Sequence, residues 1–112
     1  MNTQTILLSL GLNAAAKGYK YLVDAIDYQV EHNNDFVRFY RLYDTIAEKY
    51  NVKSTAVQKC IFYCIGNRSL KRVNKALWRS ILGEYDNAES TIPSNKDFIC
   101  SVAQYIVNKE VK

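Results

Sequence analysis

The chain has 112 residues, 48% hydrophobic and 23% charged, with four glycines and one proline. That is the makeup of one soluble globular domain, and it excludes low-complexity and disordered classes. Net charge is +4, and no apolar run approaches bilayer-spanning length, so no membrane partner is expected.

Thr3 to about Leu10 reads as a short amphipathic first helix that Gly11 ends. Its apolar stretch Ile6 to Leu12 lacks the basic lead-in of a secretory signal. Asn13 is placed to cap a long helix from Ala14 to about Glu31. Tyr19, Leu22, Val23, Ile26 and Val30 form its apolar stripe. Gly18 either permits a close helix crossing or marks the true start of this helix. His32 to Asp35 is a turn, with Asp35 as cap. The next helix runs from Phe36 to Tyr50, and Phe36, Phe39, Tyr40, Tyr43, Ile46, Ala47 and Tyr50 face inward. A kink near Leu42 fits a separate start at Asp44.

The stretch from Asp44 to Ile65 predicts a helix-turn-helix, within about 40–65. Two helices meeting at a steep angle need a small residue where their backbones approach, and Ala47 stands there. Asn51 tolerates the left-handed conformation that the turn requires. Val52 plugs the corner, and Ile46, Tyr50, Val57 and Ile61 supply a shared core. Ser54 or Thr55 caps the second helix, with Thr55-x-x-Gln58 as a capping box. Val57, Cys60, Ile61, Cys64 and Ile65 face the core, and Gly66-Asn67 stops the helix.

Arg68 to Leu82 reads as a fifth helix, with Leu70, Val73, Leu77, Trp78 and Ile81 inward. Residues 84–92 form a polar loop. Pro93-Ser94 opens the last helix, which Ser94 caps, with Asp97 three residues on. Phe98, Ile99, Val102, Ala103 and Ile106 pack it back. No segment alternates with period two, so the expectation is an all-α fold of about six helices, residues 1–112 forming one domain.

Charge is segregated along this chain. From Lys49 to Gly83 there are eight basic residues and no acidic one, while the remainder holds seven basic and eleven acidic residues. A basic block spanning a candidate recognition helix is the footprint of a polyanion binder. In a major groove the first turns of that helix meet base edges, which assigns Lys53, Ser54, Thr55, Gln58, Lys59 and Phe62 to base reading. Gln58 suits adenine and Lys59 suits guanine. Phe62 and Tyr63 lie outside the core stripe, and either touch a thymine methyl, serve a partner interface or pack on the fifth helix. Lys49, Arg68, Lys71, Arg72, Lys75 and Arg79 would hold phosphates. Neutralising about five phosphates predicts a slope near −4 to −5 for log affinity against log salt.

Catalysis is not indicated: there is no Gly-rich phosphate loop, and His32 has no nucleophile at a recognisable spacing. Cys60, Cys64 and Cys100 form no C-x-x-C pair, so a metal site is not expected. They read as buried reduced thiols, which implies an intracellular chain. No cofactor is implied.

Three blocks carry a family resemblance. They are Leu10-Gly11 with Lys17-Gly18-Tyr19-Lys20-Tyr21-Leu22 and Ala25-Ile26; Ile46-Ala47-Glu48-Lys49-Tyr50-Asn51 with Val57 and Ile61; and Pro93-Ser94-Asn95-Lys96-Asp97-Phe98-Ile99 with Val102-Ala103. In order and near-spacing the chain resembles the C-terminal DNA-binding domain of the master response regulator of sporulation, stage-zero sporulation protein A. The resemblance covers almost the whole chain. It implies six helices, a helix-turn-helix in the major groove, tandem or adjacent sites, and an endospore-forming source or its mobile element. The family's base-reading arginines are replaced at matching positions by Ala56, Lys59 and Phe62. Its Trp-x-Arg-Gly after the recognition helix is missing. Its receiver domain is also missing, which implies either a stand-alone regulator or an excerpt of a longer chain.

The reading is therefore a non-enzymatic, sequence-specific regulator of transcription that is cytoplasmic and nucleoid-associated when bound. Its expected partners are double-stranded DNA, a second copy as homodimer or on tandem sites, and RNA polymerase. The rival is an interaction module of the same fold that modulates another regulator or polymerase without reading bases. A weaker third option is nonspecific or RNA binding.

Overall fold

The computed structural model describes residues 2–83, 85 and 91–110. Among these residues six α-helices follow one another: α1 (Thr3–Ser9), α2 (Tyr19–Glu31), α3 (Leu42–Tyr50), α4 (Ser54–Gly66), α5 (Lys75–Leu82) and α6 (Asn95–Glu110), with a 3-10 segment (Phe36–Arg41) running into α3. No strand occurs among the described residues, so the all-α expectation holds. None of these helices is long and apolar enough to cross a membrane.

α2 is the central element, packed against α6, α3, α4 and α1. Leu22, Ala25 and Ile26 of α2 meet Ile46, Ile61, Phe98, Ile99 and Val102 in one core. Short-range caps define the helix ends. Asn2 accepts from the Thr5 N–H at 2.8 Å, and Ser94 accepts from the Asp97 N–H at 3.1 Å. α2 and α3 both end in a Schellman pattern. At α2, Asn33 and Asn34 take positive φ, and the Asn34 N–H reaches Gln29 O at 2.6 Å. At α3, Asn51 stands at φ 54° and the Val52 N–H reaches Ala47 O at 2.9 Å.

A buried polar network locks the first of these turns. Asn34 donates to Cys100 O at 3.0 Å and to Gln104 Oε1 at 3.1 Å, and accepts from Gln29 Nε2 at 3.1 Å. This ties the end of α2 to the middle of α6.

Several expectations need correction. α2 begins at Tyr19 rather than Ala14, because Asn13 uses its side chain on the Ala15 N–H at 2.9 Å and makes a local turn instead of a helix cap. The predicted 36–50 helix is 3-10 up to Arg41 and α-helical only from Leu42. Three residues per turn align Phe39 with Leu42, both buried. Phe36 at the outer end is 60% exposed and Tyr40, off that row, 69%. The predicted 68–82 helix shrinks to Lys75–Leu82, capped by Asn74. Residues 67–74 instead cross the first connection, where Ser69 N–H donates to Gly11 O at 2.8 Å and Asn74 N–H to Ser9 O at 2.7 Å. Gly11 has φ +89°, and a Cβ there would stand 2.5 Å from Ser69 O. Most of the expected 84–92 loop lies outside the described residues.

Candidate nucleic-acid interface

The turn of Asn51, Val52 and Lys53 joins α3 to α4, with the boundaries that the sequence predicts. One face of α4 is anchored: Val57, Ile61, Cys64 and Ile65 are buried. The opposite face carries Thr55, Gln58, Lys59, Phe62 and Tyr63, all exposed. They recur at i, i+3, i+4, i+7 and i+8, a single stripe along the helix. Polar groups occupy its first half and an aromatic pair its second, with the Phe62 and Tyr63 rings edge to face at 5.9 Å. Both rings stand largely open to solvent, 45% and 61% exposed.

α4 is braced from outside the pair. Asn95, at the start of α6, donates from Nδ2 to Gln58 O at 2.9 Å. That backbone carbonyl belongs to a residue on the exposed stripe, so α6 fixes the height at which the stripe is presented. In the sequence, Asn95 is marked by nothing beyond its place within the Pro93-to-Val102 block.

The expected capping box does not form. α4 already starts at Ser54, and its N-cap is Lys53, whose ammonium cannot accept a hydrogen bond. Gln58 donates to Ser54 Oγ at 3.3 Å instead. Val52 does not plug the corner, being 37% exposed; the Schellman hydrogen bonds close the turn through backbone alone.

The cations separate into three groups. Lys53, Lys59, Lys71, Arg72, Lys75 and Arg79 are exposed. Lys49 is exposed but occupied, with Nζ 3.0 Å from Asp24 Oδ2. The hydrogen bond and charge of Asp24 raise the Lys49 pKa. Tyr50 Oη donates to the same carboxylate oxygen at 2.6 Å. Arg68 is the correction. It is 5% exposed, its guanidinium lies 4.4 Å from the Trp78 ring centroid, and it donates to Ile65 O and Thr91 O at 3.1 and 3.3 Å. Burial lowers its pKa. Turned inward onto the carbonyls of Ile65 in α4 and Thr91 ahead of α6, it is not available to a phosphate.

Cys64 and Cys100 are buried free thiols, and Cys60 is partly buried. Among the described residues, no group of three or more His, Cys, Asp or Glu side chains is placed to hold a metal ion.

Residues 3–106 match the family model described as Sporulation initiation factor Spo0A C terminal. No curated protein matches the chain.

Proposed function

The chain belongs to the family of the sporulation initiation factor Spo0A C-terminal domain, and from that premise we propose that it is a transcription regulator reading double-stranded DNA through α4. The family is one of DNA-binding effector domains. The observation that carries the finer reading is the division of α4 into two faces. Val57, Ile61, Cys64 and Ile65 hold it to the core, while Thr55, Gln58 and Lys59 stand in solvent. A helix-turn-helix presents its second helix in this way, with the first turns entering the major groove.

In this reading Lys53, Ser54, Thr55, Gln58, Lys59 and Phe62 meet base edges. Gln58 pairs with adenine and Lys59 with guanine O6 and N7. Lys71, Arg72, Lys75 and Arg79 hold phosphates and set register. One helix covers a short half-site, so tight binding takes two copies on tandem or adjacent sites. The protein performs no chemistry on its ligand.

Selection from random duplex DNA tests this. The expected result is enrichment of one short motif, often repeated at a fixed spacing. A pool that stays random at every round, with scrambled duplex bound equally well, overturns sequence reading.

A second reading rests on Phe62 and Tyr63. Two large aromatic side chains standing exposed on one helix suit a protein partner, and an interaction module would keep the fold without reading bases. A co-purifying regulator or polymerase subunit, with no salt-dependent shift of any duplex, would favour it.

A further inference from the structure

We propose that Lys20, at the start of α2, holds a backbone phosphate beside α4, and that Asp24 limits the strength of the interface by engaging Lys49. This inference rests on the DNA-binding reading above.

The start of α2 touches both halves of the α3–α4 pair. Gly18 lies against the Cys60 carbonyl of α4. Three residues on, the Tyr21 ring meets the Tyr50 ring of α3 edge to face at 5.1 Å. Lys20 lies between these two contacts in sequence and is exposed. Its ammonium sits 4.8 Å from the Tyr50 ring centroid and 5.5 Å from that of Tyr21. The Lys49 ammonium sits 5.2 Å from the same Tyr50 centroid. Two cations therefore share one ring at the last residue of α3, directly before the turn that leads to Lys53 and α4.

These two cations differ in what else they touch. Lys49 is paired with Asp24, whose Oδ2 also accepts from Tyr50. Lys20 makes no ion pair among the described residues. An aromatic face orients an ammonium without neutralising it. Asp24 stands four residues beyond Lys20 on α2, but its Oδ2 is taken by Lys49 and Tyr50. Lys20 is thus oriented by the two rings, and the pre-ordering lowers the entropy lost on contact.

A duplex that takes the first turns of α4 into its major groove brings one phosphate strand past the α3–α4 turn, because the first helix of such a motif crosses the backbone. The Tyr50 edge is the part of α3 next to that turn. A phosphate there meets Lys20 as the open positive charge, with Lys49 released only if it leaves Asp24. Lys20 lies outside the Lys49-to-Gly83 basic block, in the part of the chain whose net charge is negative, so a charge run does not reveal it.

Fluorescence anisotropy with a labelled random-sequence duplex of about two helical turns, over a salt series, tests this. Lys20→Ala is expected to weaken binding several-fold and to reduce the magnitude of the salt slope by about 1. Lys20→Arg restores both. Asp24→Asn keeps a hydrogen-bond acceptor for Tyr50 but frees Lys49, and is expected to tighten binding and steepen the slope by about 1. Lys109→Ala, at the far end of α6, is the control for net charge alone. A Lys20→Ala slope equal to that of Lys109→Ala overturns the role of Lys20. An Asp24→Asn affinity no higher than the parent's overturns the role of Asp24. Should the parent protein itself show no salt-dependent binding, the DNA-binding reading fails, an outcome distinct from both.

Discussion

Gly18, the residue that leads into α2, and Cys60 of α4 meet backbone to backbone: a Cβ added at Gly18 would stand 2.0 Å from the Cys60 carbonyl oxygen. No real side chain tolerates that distance, and the atom in the way is main chain, which cannot swing aside. Gly18→Ala is therefore expected to push α2 from α4 and cost about 1–3 kcal/mol, the range for overpacking a well-filled site. A denaturant titration checks this. An unchanged midpoint would mean that the two backbones separate without penalty.

Arg68 is expected to act on stability and not on salt dependence. A desolvated guanidinium over an aromatic ring contributes about 2 kcal/mol or more, and its hydrogen bonds to Ile65 O and Thr91 O are lost with it. Arg68→Ala should lower the unfolding midpoint, with Arg68→Lys recovering only part because an ammonium lacks the planar fork. The slope of log affinity against log salt, measured in conditions where the variant is folded, should match the parent. A slope reduced by about 1 would return Arg68 to the phosphate-binding set.

Gln58 and Lys59 should carry sequence preference without carrying the fold. Both side chains are exposed, so the double change Gln58→Ala with Lys59→Ala should leave thermal unfolding within about 0.5 kcal/mol of the parent. The affinity ratio between a selected site and its scrambled version should fall toward one. If the ratio survives, other residues read the bases.

Asn34 should be costly to replace. It joins Gln29 to Cys100 O and Gln104 from a residue at φ 57°, and Gln29 is fully buried. Asn34→Leu places a branched side chain in the left-handed region and strips Gln29 of a partner, a loss of about 1–3 kcal/mol per stranded group. Hydrogen exchange should show the end of α2 opening first. Protection there equal to the parent's would refute the network's role.

Alkaline pH should weaken the fold through its thiols. Burial pushes Cys64 and Cys100 up to about 11, against 9.0 for a free thiol. A raised acid stays neutral when folded while the unfolded chain ionises first. Stability is thus fully present below about pH 9 and is lost as pH climbs toward about 11. Tyr19 and Tyr43, also raised by burial, push the same way. Unfolding midpoints across that window should fall less steeply in Cys64→Ala with Cys100→Ala. An identical decline would leave the thiols uninvolved.

What the amino-acid sequence determined by itself was the local grammar. The Asn51 turn, the boundaries of α4, the Ser94 cap, the inward stripe of Val57, Ile61, Cys64 and Ile65, and the family blocks all depend on residues within a turn or two of one another. Side-chain period and backbone tolerance are decided at that range. The tertiary structure alone decided which charges are available. Asp24 reaches Lys49 across 25 positions, Arg68 folds inward onto Trp78 and Thr91, and Lys20 arrives at Tyr50 from outside the basic block. Formal charge is written in the chain. Whether that charge faces solvent, a carboxylate or a buried ring depends on how helices distant in sequence pack, because electrostatic and desolvation energies follow distance in space.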